Sequence, residues 1–306
     1  MKSVATSSAI HSPVVEKPQS PWISAMPFVF VLIWSTGFVV AKFGLPYAPP
    51  LTFLLLRFCG VLVALLPLVL LMRAPWPVGR IRHIAVAGVL VQAGYLGGVW
   101  CAIKLGMPAG LSALIVGMQP ILTAFAAPLI GESVRGRQWI GLMFGICGVG
   151  LVVTNKISLT GLSWPSIALC IMALLSITSG TLYQKRFCPA FDLRTGTIIQ
   201  FAASFVVTLP FAIVFEDLTP GLHTVQWTPN FIGALLWSVL ALSIGAIFLL
   251  FALIRKSAAT QVSSLMYLTP PTTAVMAWLM FGEAFSIVGM AGMVLAVIGV
   301  ALVVRK

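Results

Sequence analysis

The sequence predicts an all-α membrane protein in which ten transmembrane helices form two inverted five-helix repeats. Three observations lead to this prediction: the apolar stretches, the positions of the basic residues, and a similarity between the two halves of the chain. Hydrophobic residues make up 60% of the 306 residues and charged residues only 8%, a composition too apolar for one soluble core.

Ten apolar stretches are the first observation. Each has close to the roughly 17 to 25 residues that an α-helix needs to cross a bilayer. Their polarity does not alternate as it does in barrel strands, so helices are the structure that satisfies every backbone hydrogen bond within the membrane. The stretches lie at 22–41, 51–72, 84–103, 109–130, 138–154, 162–183, 195–215, 231–254, 258–281 and 286–304.

The basic residues predict the orientation. With ten helices and the N-terminus inside, 14 of the 18 Lys and Arg residues lie in cytoplasmic segments. Arg57 lies within a helix, and three are external, namely Lys42, Lys104 and Lys156. This bias predicts that both termini are cytoplasmic. It also explains the net charge of +12 without nucleic acid, because the chain has no soluble basic domain.

The polar residues 1–21 include several Pro and Ser and are interpreted as a disordered cytoplasmic tail.

A similarity between the two halves is the third observation. Residues 111–153 align without a gap over residues 262–304, with 12 of 43 positions identical. A matched proline and a matched Gly-Glu pair are unusual coincidences even in so apolar a chain. The matched positions include Pro120 and Pro271, and Glu132 and Glu283.

The similarity continues upstream at an offset of 143, where Lys42 matches Lys185. Five helices per copy is an odd number, so the two copies cross the membrane in opposite directions. The charges agree, because Lys42 falls outside and Lys185 inside. We therefore predict two five-helix repeats, at 22–154 and 162–304, related by inversion.

The positions of the ionisable residues argue against several functions. All six carboxylates and all three histidines lie in the predicted tail, in loops or at helix ends. A proton-driven transporter usually holds a titratable acid within the membrane, and a cation antiporter benefits from one. No paired acids, His-based metal spacing or nucleophile beside a base lie at depth, so we expect no enzyme, no metal site and no cofactor. The five cysteines indicate neither a disulfide framework nor a CxxC metal site.

Arg57 is the one ionisable side chain with a clear place inside the membrane, about 10 Å along its helix from the external end at Pro50. One hypothesis is that it meets a substrate carboxylate or an electronegative helix end. The alternative is that it snorkels outward or caps a carbonyl of its own bundle. Its counterpart Gln200 is also polar at depth, which favours a role in both halves, although a helix–helix hydrogen bond would satisfy it equally.

Helices four and nine carry internal prolines, in Gln119-Pro120 and Thr269-Pro270-Pro271. A proline frees the carbonyl four residues before it and exposes a backbone acceptor. Polar side chains share the face of each kink, namely Ser112, Gln119 and Thr123 in helix four, and Ser263 and Tyr267 in helix nine. We expect these faces to line a cavity; the alternative is a packing kink whose hydroxyls bond their own backbone.

Other polar and aromatic side chains lie inside the predicted helices rather than at the interfacial belt. We expect them to complete the same pocket, with the alternative that individual aromatics belong to the bundle core. These residues are Trp34, Thr36, Gln92, Tyr95, Thr178 and Ser179.

Helices five and ten are rich in glycine, and the spacing from Gly141 to Gly145 permits close helix contact. Such a face supports either a dimer or packing inside one chain. We expect the second use, and therefore a monomer.

The chain resembles a known family. The run WSTGFVVAKFGLPYAPPLTFLLLRF at 34–58, the proline helices and the repeated Gly-Glu pair are similar to the EamA-type branch of the drug/metabolite transporter superfamily. The resemblance covers about residues 22–304. It implies two inverted five-helix repeats around a cavity lined mainly by helices 1, 3, 4, 6, 8 and 9.

The resemblance also implies functional residues and a location. Members export amino acids and other small metabolites from the bacterial cytoplasm, so we expect a multi-pass protein of the bacterial inner membrane. The family's functional positions map onto Trp34, Lys42, Arg57, Pro120 and Pro271. The chain departs from the small cation-extruding members, because its first helix lacks their membrane-embedded Glu.

We therefore expect a secondary transporter that moves a small neutral or zwitterionic metabolite, such as an amino acid, by alternating access. Two alternatives stay open: a membrane-embedded enzyme acting on a lipid-linked substrate, and a membrane sensor or partner subunit that transports nothing. The expected partners are a small-molecule substrate and the lipid bilayer.

Overall fold

The computed structural model describes residues 21–126, 136–160, 162–188, 191–216, 218, 223–246, 249, 268–284 and 286–304. Every regular element within these residues is helical. The first half contains α1 (Pro21–Gly44), α2 (Pro50–Leu71), α3 (Ile81–Gly88), α4 (Tyr95–Lys104), α5 (Ala109–Val116), α6 (Gln119–Phe125) and α7 (Gly136–Thr160). The second half contains α8 (Trp164–Phe187), α9 (Leu193–Phe215), α10 (Pro229–Leu236), α11 (Thr269–Phe281) and α12 (Ile287–Val304).

Five described helical spans are long and apolar enough to cross a membrane: Ala25–Gly44, Pro50–Leu71, Val78–Lys104, Trp164–Phe187 and Leu193–Phe215. Four shorter apolar helices lie at other predicted positions: Ala109–Phe125, Trp139–Asn155, Pro229–Gly245 and Ile287–Leu302. The predicted stretch 258–281 is described only from residue 268 onward. The multi-pass helical character is therefore confirmed, whereas the number of ten spans stays a prediction.

Two π-helical segments, which the sequence analysis did not predict, occupy matching positions in the two halves. Val89–Gly94 joins α3 to α4, and Trp237–Gly245 follows α10. Gly94 and Gly245, which end the two segments, differ by the repeat offset of 151. Apolar periodicity does not reveal one extra residue in a helical turn. Such turns are frequent at functional sites, and both segments carry polar side chains.

The predicted helix four is broken rather than kinked. α5 ends at Val116, and α6 begins at Gln119 with Pro120 in its first turn. Proline has no amide hydrogen, so the Val116 carbonyl cannot receive its usual helical bond from that position. The chain turns at Gly117, where an added Cβ would lie 2.7 Å from Cγ of Pro270. The proline-containing segments of the two halves are thus in close contact.

The matched helices α2 and α9 pack against each other. Phe58 and Phe201 match at the offset of 143, and their rings meet edge to face with centroids 5.6 Å apart. A contact between a residue and its own counterpart indicates an approximate two-fold axis close to that contact.

The matched helices α7 and α12 give the same indication through their glycines. An added Cβ at Gly148 would lie 2.5 Å from the carbonyl oxygen of Gly292, and one at Gly299 would lie 2.6 Å from that of Gly141. Gly292 is the counterpart of Gly141, and Gly299 is the counterpart of Gly148. The two contacts are therefore equivalent, because exchanging the two halves converts one into the other. These glycines pack the helices of a single chain together.

The core joins the halves through aromatic side chains. Phe53 of α2 lies 4.5 Å from the ring of Trp100 and 5.3 Å from that of Phe231, which belongs to the second half. All three side chains are almost fully buried. Aromatic contacts of this kind add to area burial and fix helix positions, so the two halves form one packed body.

Candidate functional site

Arg57 lies in the interior of the bundle, on α2. Only 6% of it is exposed, and its Nε donates a hydrogen bond of 3.1 Å to Oγ of Ser243. Ser243 belongs to the π-helical segment after α10, and its hydroxyl donates in turn to the carbonyl of Ser238 at 2.9 Å. A residue of the first half is thus held by a residue of the second. Arg57 is thus enclosed within the bundle rather than extended towards solvent.

Gln92 belongs to the other π-helical segment, and Tyr95 follows that segment directly. Tyr95 begins α4, is buried, and lies within electrostatic range of Arg57. Gln92 lies within the π-helical segment one turn earlier and is half-buried. At the offset of 151, Gln92 is the counterpart of Ser243. The two π-helical segments therefore present matching polar positions, one of which contacts the arginine.

Among the described residues, no carboxylate contacts Arg57. Glu216 accepts hydrogen bonds at the start of α2, Glu283 pairs with Lys42, and Asp192 pairs with the arginine two residues after it. A buried cation without an anionic partner is strongly unfavourable in a membrane. A ligand that brings a carboxylate to Arg57 would remove this penalty.

Gln200 lies at a different junction from Arg57. It is on α9, and its Nε2 donates to Oε1 of Gln184 on α8 at 3.0 Å. Gly88 packs directly on it, because an added Cβ there would lie 2.4 Å from the Gln200 Cα. The helix–helix hydrogen bond considered from the sequence is thus present at Gln200.

Helix four places its polar residues in two different helices. Ser112 lies on α5 and is fully buried, and its hydroxyl has no hydrogen-bond partner among the described residues. Gln119 begins α6, and its Nε2 donates to Oγ1 of Thr181 on α8 at 2.9 Å. The interruption at Gly117 lies between Ser112 and the other two residues of the predicted face, Gln119 and Thr123. The shared face of these three residues stays a prediction.

The second proline segment also contains a buried hydroxyl. Thr269 begins α11, and its Oγ1 has no hydrogen-bond partner within the described ranges. Pro271, two residues later, is half-buried. Ser263 and Tyr267, predicted for the same face, lie outside the described residues.

Trp34 and Thr36 take part in contacts between α1 and the second half. Oγ1 of Thr36 accepts a 2.9 Å hydrogen bond from Nε1 of Trp237 and donates to the Ile33 carbonyl at 2.6 Å. Trp34 is half-buried, and its ring lies 5.6 Å from that of Phe30. The predicted place of Trp34 in a pocket stays a prediction.

Thr178 and Ser179 differ in their surroundings. Thr178 is buried, and its hydroxyl donates to the Leu174 carbonyl of its own helix at 2.7 Å. Ser179 is exposed on α8. Of the predicted residues, the structure places Tyr95 near Arg57, with Gln92 one turn before Tyr95. Gln119 and Gln200 form hydrogen bonds at other helix junctions.

Ser243 is the residue of this site that the sequence analysis missed. Its repeat relation to Gln92 was a signal that could have indicated it, because Gln92 was among the predicted residues. A serine in an apolar helix is otherwise inconspicuous, since its hydroxyl usually bonds its own backbone.

A second group of polar contacts closes one end of the bundle, here called the Glu283 end and defined by Lys42, Glu216 and Glu283. Glu283 pairs with Lys42 at 2.5 Å and accepts hydrogen bonds from the backbone amides of Ala109 and Gly110 at 3.1 and 3.3 Å. Glu283 precedes α12 in the sequence, yet its carboxylate lies at the N-terminus of α5 and interacts with the positive end of that helix.

Glu216 plays a similar part for α2. Its carboxylate accepts hydrogen bonds from the amides of Leu51 and Thr52 at 2.8 and 2.7 Å, and from Oγ1 of Thr52 at 2.9 Å. Gln226 adds a backbone hydrogen bond of 2.8 Å to the Tyr47 carbonyl. Both acids thus satisfy helix N-termini of the first half from positions in the second.

At the opposite end, Asp192 caps α9. Hydrogen bonds from Arg194, first from its side chain and then from its amide, hold the pKa of the Asp192 carboxyl below its usual value. The carboxylate therefore stays ionised and satisfies the first turn of α9.

The geometry and the composition define a polytopic helical membrane protein whose interior site lies between two related halves. A model of the EamA-like transporter family matches residues 21–154 and again residues 164–305. The chain belongs to this family, and the family identifies it as a membrane transporter rather than an enzyme.

Named relatives agree with this class. An uncharacterized inner membrane transporter, YedA, of Escherichia coli K12 is 28% identical over 85% of this chain and 83% of its own length. A probable amino-acid metabolite efflux pump of Salmonella typhimurium is 26% identical over 90% of this chain and 92% of its own. An uncharacterized transporter of Bacillus subtilis, YvbV, is 27% identical over 90% and 89%.

A solved crystal structure shares the fold. It superposes with a TM-score of 0.62 and 19% identity, and the match covers 92% of this chain and 96% of that chain.

Proposed function

We propose that the chain exports a small neutral or zwitterionic metabolite, such as an amino acid, across the bacterial inner membrane by alternating access. The observation that carries the proposal is the buried Arg57, held by Ser243 of the other half and without a carboxylate partner among the described residues. An amino acid or related metabolite would supply the missing carboxylate. The Salmonella relative is named a probable amino-acid metabolite efflux pump, which supports the same substrate class.

The proposed architecture is ten transmembrane helices in two inverted repeats, at 22–154 and 162–304, with both termini cytoplasmic. The reciprocal glycine contacts of α7 and α12 support a two-fold relation between the halves. The distribution of basic residues supports the orientation, in which the Glu283 end is external. We propose a monomer, because these glycines pack within the chain.

The proposed site residues act in two ways. Arg57 pairs with the substrate carboxylate, while Ser243 fixes the arginine and Tyr95 and Gln92 offer neutral polar groups beside it. We propose that the remaining predicted residues line the same cavity. These are Trp34, Thr36, Gln119, Pro120, Thr178, Ser179, Gln200, Ser263, Tyr267, Thr269 and Pro271. Helix breaks such as the one at Gly117 allow the halves to move relative to each other.

The test is flux into proteoliposomes of each of the twenty proteinogenic amino acids, with the wild-type protein and with Arg57→Gln. Glutamine can still hydrogen-bond but cannot pair with a carboxylate. We therefore expect the apparent affinity for the transported amino acid to fall by on the order of 10-fold or more. The control is Gln184→Met, which removes the hydrogen bond between Gln184 and Gln200 and should leave the apparent affinity within about 2-fold. Gln200→Glu would not serve as a control, because it adds a charge.

Two outcomes would overturn the proposal. One is the absence of flux for all twenty amino acids by a correctly folded protein. The other is unchanged affinity in Arg57→Gln. We also expect downhill flux without an imposed pH difference, since no acid or histidine was predicted within a helix.

A further inference from the structure

We infer that the contact between Glu283 and Lys42 keeps the external end of the transport path closed, and that breaking it is a step of the transport cycle. The inference rests on the proposed function, because it concerns access to the same path between the two halves. It gives Lys42 and Glu283 a shared function outside the site around Arg57.

Glu283 joins three separate parts of the chain. Its Oε1 accepts from Nζ of Lys42, at the end of α1, and from the amide of Ala109. Its Oε2 accepts from the amide of Gly110, so the carboxylate covers the N-terminus of α5. Glu283 itself follows α11 in the second half. One carboxylate thus holds two elements of the first half to a loop of the second.

Burial makes this contact stronger than an ordinary surface pair. The side chain of Glu283 is only 8% exposed and that of Lys42 is 35% exposed. The lysine also lies 4.8 Å from the ring centroid of Phe281. The Glu283 carboxylate has two favourable electrostatic interactions, one with the Lys42 ammonium and one with the N-terminus of α5. The ammonium has a third, the cation–π contact with Phe281.

The elements that meet at Glu283 also surround the interruption at Gly117, because α5 ends there and Pro270 of α11 packs against it. α1, α5 and α11 pack together, and Thr273 of α11 donates to the Ser35 carbonyl of α1 at 3.3 Å. Ser112 lies one turn below the N-terminus of α5 and is fully buried, and its hydroxyl has no hydrogen-bond partner in the described part of the chain. A movement of the α5 N-terminus away from Glu283 would expose Ser112.

Glu216 offers a matched comparison at the same end. It also caps a helix N-terminus of the first half from the second half, at Leu51 and Thr52. However, α2 and α9 are held along their length by packing that includes Phe58 and Phe201. Loss of the Glu216 carboxylate should therefore leave α2 in place.

The experiment uses Ser112→Cys as a reporter in the full-length protein without its five native cysteines. A membrane-impermeant methanethiosulfonate reagent is added outside intact cells, and the rate of Ser112→Cys labelling is measured. With Glu283→Gln we expect the rate to rise on the order of 10-fold, because the charge that holds Lys42 is lost. Lys42→Gln should act in the same direction, and Glu216→Gln should leave the rate within about 2-fold.

The double variant separates a shared contact from independent effects. If Glu283 and Lys42 act through one contact, Glu283→Gln with Lys42→Gln should raise the labelling rate less than the product of the two single effects. Multiplicative effects, unchanged labelling in both single variants, or an equal rise in Glu216→Gln would each overturn the inference. Because labelling needs no substrate, a protein without amino-acid flux can still give the predicted pattern, so this test and that of the proposed function fail separately.

Discussion

Replacing Ser243 with alanine removes the hydroxyl that accepts a hydrogen bond from Nε of Arg57 and donates one to the Ser238 carbonyl. Both residues are buried, with 2% and 6% exposure, so water does not readily replace the lost acceptor. A hydrogen bond to a charged group contributes about 1.5–3 kcal/mol, which corresponds to roughly 10- to 150-fold in an equilibrium constant. We expect Ser243→Ala to raise KM for the transported amino acid by about 10-fold or more.

The measurement compares an amino acid with its amide, which lacks the carboxylate charge. If Ser243 acts by positioning Arg57, Ser243→Ala should weaken transport of the acid and reduce the preference for acid over amide. Ser238→Ala is the matched control, because that buried hydroxyl lies in the same segment but donates to the Ala234 carbonyl. Equal losses for acid and amide, or equal effects of the two alanine variants, would refute the reasoning.

Two further predictions concern packing and orientation. Gly148→Val should lower the Tm of the purified protein by about 5 °C or more, because the added Cβ would meet backbone atoms of α12. Gly150→Val, where an added Cβ meets nothing within 4 Å, should have little effect, and equal losses at both positions would contradict the packing argument. In cysteine-free protein, an impermeant thiol reagent outside cells should label Thr224→Cys and spare Gly79→Cys. The reverse pattern would overturn the proposed orientation.

The sequence predicted those features that depend on composition and on the repeat. The helical membrane class follows from the apolar stretches, and the close contact of Phe58 with Phe201 falls on a pair of matched positions. Proline chemistry predicted an interruption in helix four, but not whether the helix bends or breaks at Gly117. That outcome depends on how tightly Pro270 of the other half packs there.

The residues that were missed depend on tertiary contacts. Sequence placed Arg57 at depth, yet its partner Ser243 is 186 residues away and has no distinctive local pattern. Glu283 precedes α12 in the sequence, and proximity along the chain is the only distance that a single sequence offers. Its actual partners, Lys42 and the α5 N-terminus, are brought to it by the packing of α1 against α11.

The contact between Phe58 and Phe201 has a consequence for how such a chain could have arisen. In a dimer of two identical five-helix subunits that met at this axis, the residue before the phenylalanine would be the same in both subunits. A buried arginine at that position would therefore occur twice beside one interface. Two like charges confined near each other in an apolar interior repel strongly. Joining the subunits into one polypeptide lets the positions diverge, and this chain has Arg57 in one half and Gln200 in the other. Covalent fusion thus makes available a singly charged interior that a symmetric dimer of the same fold could not adopt.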